Sequence, residues 1–514
     1  MFAIRLTLPI LAALLVAPSP AQVFSTPEPV PLDPGWITSL QRREAGDIDG
    51  DGDIDVVVGG DPAAGGGLGV LLNDGDAVFT GPHALSPSLG VVFDFVLVDI
   101  DGDTDLDVIA SERSPGNVKL LENVGGGAFA APVVLSNRTS AFIATGDFNE
   151  DGTVDVVISW GWVDMIPQDS SGGFGAPVSV YSDPDNFNST NIVAADVNQD
   201  GHLDLVRGVQ ILYSTVLNFR IGDGTGSFTS TFLGSFSYFL DGSFAFSDLN
   251  DDGLTDLVLG RSSGGFVSVH FADGAGGFGP ERSVPKFGPG PLAPQDVTGD
   301  GVDDVLWWDS SELRCWSLDG PGDMQPRTLV HEARDPVPLA SSHVIADFDG
   351  DGMNDVMYGT RQPFATGATM LALNKGSIAT PFCGPAVPHS GDRSARIDAW
   401  GSRGVAADEL ELYAYGLPVD EWGMFVCATS PSAPMSIANS QGMLCLGGTL
   451  GRFNRPGEVR QAELGTFRLN VRPSTFPLPN AVLPGDTWYF QAWFRDINGG
   501  ITSNLTDAIS ITFE

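Results

Sequence analysis

Basic side chains are scarce in this sequence. Lysine and arginine number 25 against 65 aspartates and glutamates, a formal net charge of −40. Nucleic acid and anionic membrane surfaces are bound through clustered cations, so neither is an expected partner. Histidine is scarcer still. The six, at positions 83, 202, 270, 331, 343 and 389, lack metal-ligand spacing, and structural or solvent-facing roles are expected of them. Four cysteines (Cys315, Cys383, Cys427 and Cys445) are too few to build a scaffold and have no zinc-ligand spacing. They allow up to two disulfides in three connectivities. No G-x-S-x-G elbow or H-E-x-x-H helix occurs, so neither a serine hydrolase nor a zinc protease is signalled.

Long apolar runs are missing too. The longest candidate, Leu6 to Val16, falls short of the ~20 residues that a membrane span needs. With Arg5 before it and Ser19-Pro20-Ala21 after it, the run reads as a secretory signal over residues 1–21. The mature chain is therefore expected to begin near Gln22, without a transmembrane segment, and to work outside the cytoplasm or at the cell surface.

Aspartate and glycine, by contrast, are abundant and ordered. The loop Asp47-Ile48-Asp49-Gly50-Asp51-Gly52-Asp53-Ile54-Asp55 runs directly into Val56-Val57-Val58. Carboxylates at loop positions 1, 3, 5 and 9 gather hard oxygens around one point, as Ca²⁺ requires with its six to eight oxygen ligands. The loop recurs from Asp99, Asp147, Asp196, Asp248, Asp296 and Asp347, every 48–52 residues. EF-hand loops share the opening but need an acidic ligand at position 12, which is Val58 in the first loop and Ile158 in the third.

So regular a period defines a repeat architecture. Each repeat has an apolar strand before the loop, a second after it and an alternating third. A glycine-rich turn with phenylalanine follows (Gly125 to Phe129, Gly172 to Phe174, Gly224 to Phe228, Gly274 to Phe278), then a fourth strand near Pro132, Pro177 or Pro280. Four short strands per ~50 residues fit a propeller blade. The seventh repeat lacks its last strand, while Val23-Phe24-Ser25-Thr26-Pro27 matches Val78-Phe79-Thr80-Gly81-Pro82. Residues 22–32 are therefore expected to close the last blade. From residue 378 the period vanishes, and alternating segments such as Glu409 to Tyr415 and Trp488 to Phe494 predict an antiparallel β-sandwich to residue 514. The expected fold is all-β: a seven-bladed β-propeller over 22–377, followed by that sandwich.

The loops and Phe-Gly turns together resemble the FG-GAP/VCBS repeats of integrin α-subunit propellers and of secreted bacterial proteins, over roughly residues 22–377. In that family the loop joins the first two strands of a blade, and Ca²⁺ is held by side chains at positions 1, 3, 5 and 9 with the carbonyl of position 7. The resemblance implies up to seven Ca²⁺ ions, one per blade. The first site is Asp47, Asp49, Asp51, Asp53 and Asp55; the second Asp99, Asp101, Asp103, Asp105 and Asp107, with Thr104 replacing the turn glycine. The third is Asp147, Asn149, Asp151, Thr153 and Asp155; the fourth Asp196, Asn198, Asp200, His202 and Asp204; the fifth Asp248, Asn250, Asp252, Leu254 and Asp256. The sixth is Asp296, Thr298, Asp300, Val302 and Asp304, where threonine is a weaker ligand, and the seventh Asp347, Asp349, Asp351, Met353 and Asp355.

The C-terminal pattern Phe382-Cys383, Gly442 to Gly448 and Gly485 to Gln491 resembles a module of secreted planctomycete-type bacterial proteins. That resemblance implies a Cys383–Cys445 disulfide, with Cys315 and Cys427 free and buried.

Partner contacts in the resembled propellers use the face opposite the loops. Here that face draws on Trp160, Trp162, Tyr181, Phe187, Trp308 and Phe364, aromatics beside polar groups that suit sugar or protein surfaces. The expected function is non-catalytic recognition or adhesion by a monomer, toward an extracellular protein or glycan. A polysaccharide-active hydrolase or lyase on the same scaffold, and a purely structural envelope component, are the competing classes.

Overall fold

The computed structural model describes residues 28–30 and 42–514, less 60–66, 87, 115, 139–140, 183–188, 212–213, 232–236, 240–243, 262–264, 286–291, 298–300, 310–311, 319–323, 326–330, 333–337, 361–368, 375–377, 385, 391–393, 406–409, 419, 463–466, 480 and 499–500. The expected signal segment lies outside the described residues, as do Phe187, Thr298, Asp300 and Phe364.

Each acidic loop joins the first two strands of an antiparallel meander. In the first repeat the strands are Arg43–Gly46, Asp55–Gly59, Leu68–Asn73 and Phe79–Ala84, hydrogen-bonded in that order. Among the described residues seven such sheets occur, the fourth and sixth each carrying one extra short strand, Ser237–Phe239 and His331–Glu332. The seventh is completed from the other end of the chain. Glu28–Pro29 pairs with Met370 and Leu371, and the Val30 N–H donates to the Thr369 carbonyl at 2.9 Å.

Second strands such as Val56-Val57-Val58 are apolar on both faces because each sheet is covered on both sides. Val57 packs with Phe95, Val108 and Ala110 of the second sheet, whereas Val56 and Val58 pack with Phe348 and Met357 of the seventh. The same division recurs around the chain. Separate cores join sheets two and three (Ile109 with Ile143), three and four (Val157 with Leu205), four and five (Val206 with Leu257), five and six (Val258 with Val305), and six and seven (Leu306 with Val356). Since every sheet shares a core with the next and the seventh shares one with the first, the sheets form a closed ring, a β-propeller. Closure leaves few exposed sheet edges.

Beyond the ring, a sheet formed by Thr380–Cys383, Ile501–Thr512, Thr487–Asn498, Trp422–Ala428 and Gly451–Arg452, with Arg460–Gln461 also paired to Trp422–Ala428, faces a three-stranded sheet of Arg396–Gly401, Leu410–Tyr415 and Phe467–Val471. Phe425, Phe467, Trp488 and Phe490 fill the core between them. Alternation along Leu410–Tyr415 sends Leu410, Leu412 and Ala414 into that core. Tyr413 and Tyr415, with Trp400, turn the other way and enter the core between ring sheets six and seven. Cys383 is bonded to Cys445, while Cys315 and Cys427 are free and buried. No helix among the described residues is long and apolar enough to cross a membrane.

Candidate metal centres and the opposite face

The loop is a set of backbone donors folded over carboxylates. In the first, Asp47 Oδ1 accepts the Gly50 N–H at 2.8 Å and Oδ2 the Gly52 N–H at 3.0 Å, while Asp51 accepts the Asp53 N–H at 2.9 Å. The tight return needs left-handed residues at positions 4 and 6, where Gly50 has φ 79° and Gly52 φ 97°. Thr104 takes the same conformation at φ 80°, and its N–H donates to Asp99 at 3.0 Å just as Gly52 donates to Asp47. The missing glycine therefore leaves the second loop's turn unchanged.

Position 9 is the anchor. Asp55 is fully buried; its Oδ2 accepts the Ile48 N–H at 3.0 Å and its Oδ1 the Asn73 N–H at 2.8 Å. Asp107, Asp155, Asp204, Asp256 and Asp355 repeat both bonds in their own sheets. Sequence reasoning assigned position 9 to a metal only, and missed that its carboxylate ties loop to sheet whether or not an ion is bound. Each oxygen keeps a second lone pair for a cation. Burial pushes Asp55, Asp107, Asp204 and Asp256 up to about 6 and Asp355 to about 7, against the pull of their N–H donors.

The donor set fits a divalent cation. Oxygens of Asp47, Asp49 and Asp55 lie within 4.8 Å of one another, as do those of Asp99, Asp101 and Asp107, and of Asp347, Asp349 and Asp351. Asp49 Oδ1 is buried with no hydrogen-bond donor. Burial, then the charges of neighbouring aspartates, raises the Asp49 carboxyl, and burial likewise raises Asp101. An ion supplies the missing positive charge at such a point. Loops three, four and five hold Asn149, Asn198 and Asn250 at position 3, one carboxylate fewer. In loop three the Thr153 hydroxyl donates to Asp151 at 2.5 Å and lowers its carboxyl. The ring of His202 lies outward at the surface, where it meets the exposed Glu150 of the preceding loop, which raises its pKa. Position 7 was assigned only for its carbonyl, so the side chains of Leu254, Val302 and Met353 are not expected ligands.

At the opposite strand ends, among the described residues, Trp160, Trp162 and Tyr181 are each half-buried and make separate contacts. Trp160 is half-buried, edge-on to Phe93 at 5.5 Å and stacked at 6.2 Å on Phe142, with Arg113 lying over Phe93 at 5.1 Å. Trp162 lies under Arg138 and Tyr181 under Arg220, at 4.3 and 4.0 Å. These are separate contacts, so the shared platform is Phe93, Phe142, Trp160 and Arg113. Phe93 and Phe142 escaped sequence reasoning because they sit within strands rather than turns. For Trp308 only the backbone is described. His270 and His389 meet the carbonyls of Gly279 and Gly416, which are structural contacts.

The FG-GAP-like repeat family matches residues 47–110, 99–158 and 296–358. Among solved structures, similarity is found to a lectin of Agrocybe aegerita described as recognising non-reducing terminal N-acetylglucosamine (22% identity, 58% of this chain and 82% of that one, TM-score 0.47). It is also found to BBS1N in complex with ARL6DN (11%, 69% and 97%, TM-score 0.44) and to the Dos1 propeller (9%, 65% and 95%, TM-score 0.39). No curated protein matches.

Proposed function

Taking as premise that this chain is a β-propeller built on FG-GAP-like repeats, we propose that it is an extracellular, calcium-binding, non-catalytic recognition module for a protein or glycan. The observation that carries the metal reading is the convergence of the Asp47, Asp49 and Asp55 oxygens around the donorless Asp49 Oδ1. Asp47, Asp49, Asp51 and Asp55 would hold the ion with the carbonyl of Asp53, and the other loops would do so at the matching positions. The ions neutralise part of the net charge of −40 and brace the blades. An extracellular setting is supported by the Cys383–Cys445 bond, since structural disulfides persist in oxidising compartments.

Recognition falls to the face away from the ions, where Phe93, Phe142 and Trp160 offer aromatic area beside the exposed Arg113. The test has two arms. Metal analysis of the purified chain should find bound calcium that a chelator removes. Immobilised polysaccharides and extracellular-matrix proteins should retain the calcium-loaded chain, and Trp160→Ala should weaken retention about tenfold, the scale of an aromatic anchor. Retention of nothing on either panel would defeat the recognition half.

A further inference from the structure

The residue whose N–H meets the position-9 aspartate lies at the end of a sheet's third strand or two positions beyond it. That residue is Asn73 in sheet one, Asn123 in sheet two and Asn374 in sheet seven, but Gln168, Gly222 and Ala272 in sheets three, four and five. The three asparagines are 6%, 1% and 0% exposed, and each amide reaches into the preceding blade's loop. Asn123 Nδ2 donates to the position-2 carbonyl of Ile48 at 2.8 Å, Asn73 to that of Phe348 at 2.9 Å, and Asn374 to that of Val297 at 2.8 Å. The same amides also bond the position-8 carbonyls of their own loops, Leu106, Ile54 and Asn354. One residue thus grips two loops. Position 2 lies between the first two metal-ligand positions of one loop, and the position-9 carboxylate belongs to the next.

Resting on the calcium reading above, we propose that Asn73 and Asn123 are positioning residues that couple neighbouring cation sites, so that loops seven, one and two fill first and as a set across the seam where the ring closes; Asn374 ties loop seven back to loop six, which has the neutral Thr298 at position 3 and fills later. Charge points the same way. These loops have aspartate at position 3 (Asp349, Asp49 and Asp101), whereas loops three to five have asparagine there; more ligand charge and a more rigid cage mean tighter binding. When an ion draws Asp47 and Asp49 together, the Ile48 peptide between them moves with them. Asn123 passes that constraint to Asp107 of loop two. Blade four also touches its neighbour, through the Gly226 N–H on the Phe148 carbonyl at 2.9 Å, but Gly226 does not hold the position-9 carboxylate and so joins no pair of sites.

The experiment titrates the chelator-stripped full chain with calcium by calorimetry and follows melting with and without the ion. Three equivalents should bind first, with a Hill coefficient above 1. Asn123→Ala should lower that coefficient, cut the cooperative phase from three equivalents to two (loops seven and one, still joined by Asn73) and weaken binding at loop two about tenfold, within the usual range of coupling energies. A merely structural amide would lower melting equally in chelator and in calcium and leave the titration's shape alone, which overturns the proposal. Should Asn123→Ala not fold, Asn73→Ala supplies the second test: it should release loop seven and leave loops one and two as the cooperative pair, and an early phase still of three equivalents overturns the proposal. Calcium uptake in one uncoupled phase overturns this inference alone; no uptake overturns the metal reading with it.

Discussion

A carboxylate's role in the acidic loop depends on how many of its oxygens already have partners. Asp49 and Asp55 lie in one loop yet differ in this respect. Asp49 keeps a donorless buried oxygen, so its charge is a liability until an ion arrives. Both oxygens of Asp55 take backbone N–H bonds, so its loss also harms the ion-free fold. Substituting amides separates the two roles. Asp49→Asn should leave melting in chelator unchanged or raised and shrink the gain from calcium. Asp55→Asn turns an NH₂ group toward a buried N–H and should cost about 1–3 kcal/mol even in chelator. Thermal melts of both variants with and without calcium check this, and equal losses for the two in chelator would refute the division.

At the scale of the strand, the closing segment stands apart because it comes from the far end of the chain. Glu28–Pro29 adds the fourth strand of the seventh sheet, and Val30 enters the core shared by Leu371, Met357 and Val56. Removing residues 22–32 strips that core of a buried valine and uncovers the edge of Thr369–Ala372. The loss should be at least ~2 kcal/mol, seen as a lower melting temperature with calcium present, together with concentration-dependent association through the bare edge. A truncated chain that melts like the full one would show that the ring closes without the strand. The strand's existence was legible because its Val-Phe-x-x-Pro pattern copies the start of other fourth strands. The loops were legible because the chemistry repeats in one linear stretch. The asparagine grips were not, since Asn123 and Ile48 meet only after two repeats stack; the one linear trace is that an asparagine stands at or just past the end of the third strand where position 3 is aspartate. Trp160 shows the same limit: sequence placed it on the face opposite the loops, and its partners there, Phe93 and Phe142, come from other stretches of the chain.

For the molecule as a whole, opposing demands meet in the buried carboxylates. Without ions, burial holds Asp55, Asp107, Asp204 and Asp256 at about 6 and Asp355 at about 7, and in the second unit it holds Glu411, despite Arg468, at about 7. All lie above their unfolded values near 4. A group whose folded pKa is raised contributes its stability fully below the unfolded value and loses it as pH rises through the folded one. The ion-free chain should therefore lose melting temperature between pH 4 and 7, as carboxylates ionise against one another within a net charge of −40. Calcium reverses the sign for the loops, because only the ionised carboxylate is a ligand and protons compete with the metal. The gain from calcium should be near zero at pH 4 and greatest above pH 7, so the two melting curves diverge as pH rises. Trp400, Tyr413 and Tyr415 share a core with ring sheets six and seven, so both units should melt together under these conditions. Melting followed from pH 4 to 8 in chelator and in millimolar calcium decides it: a chelated chain that grows more stable toward neutrality would mean that its loop carboxylates are already paired and have no need of an ion.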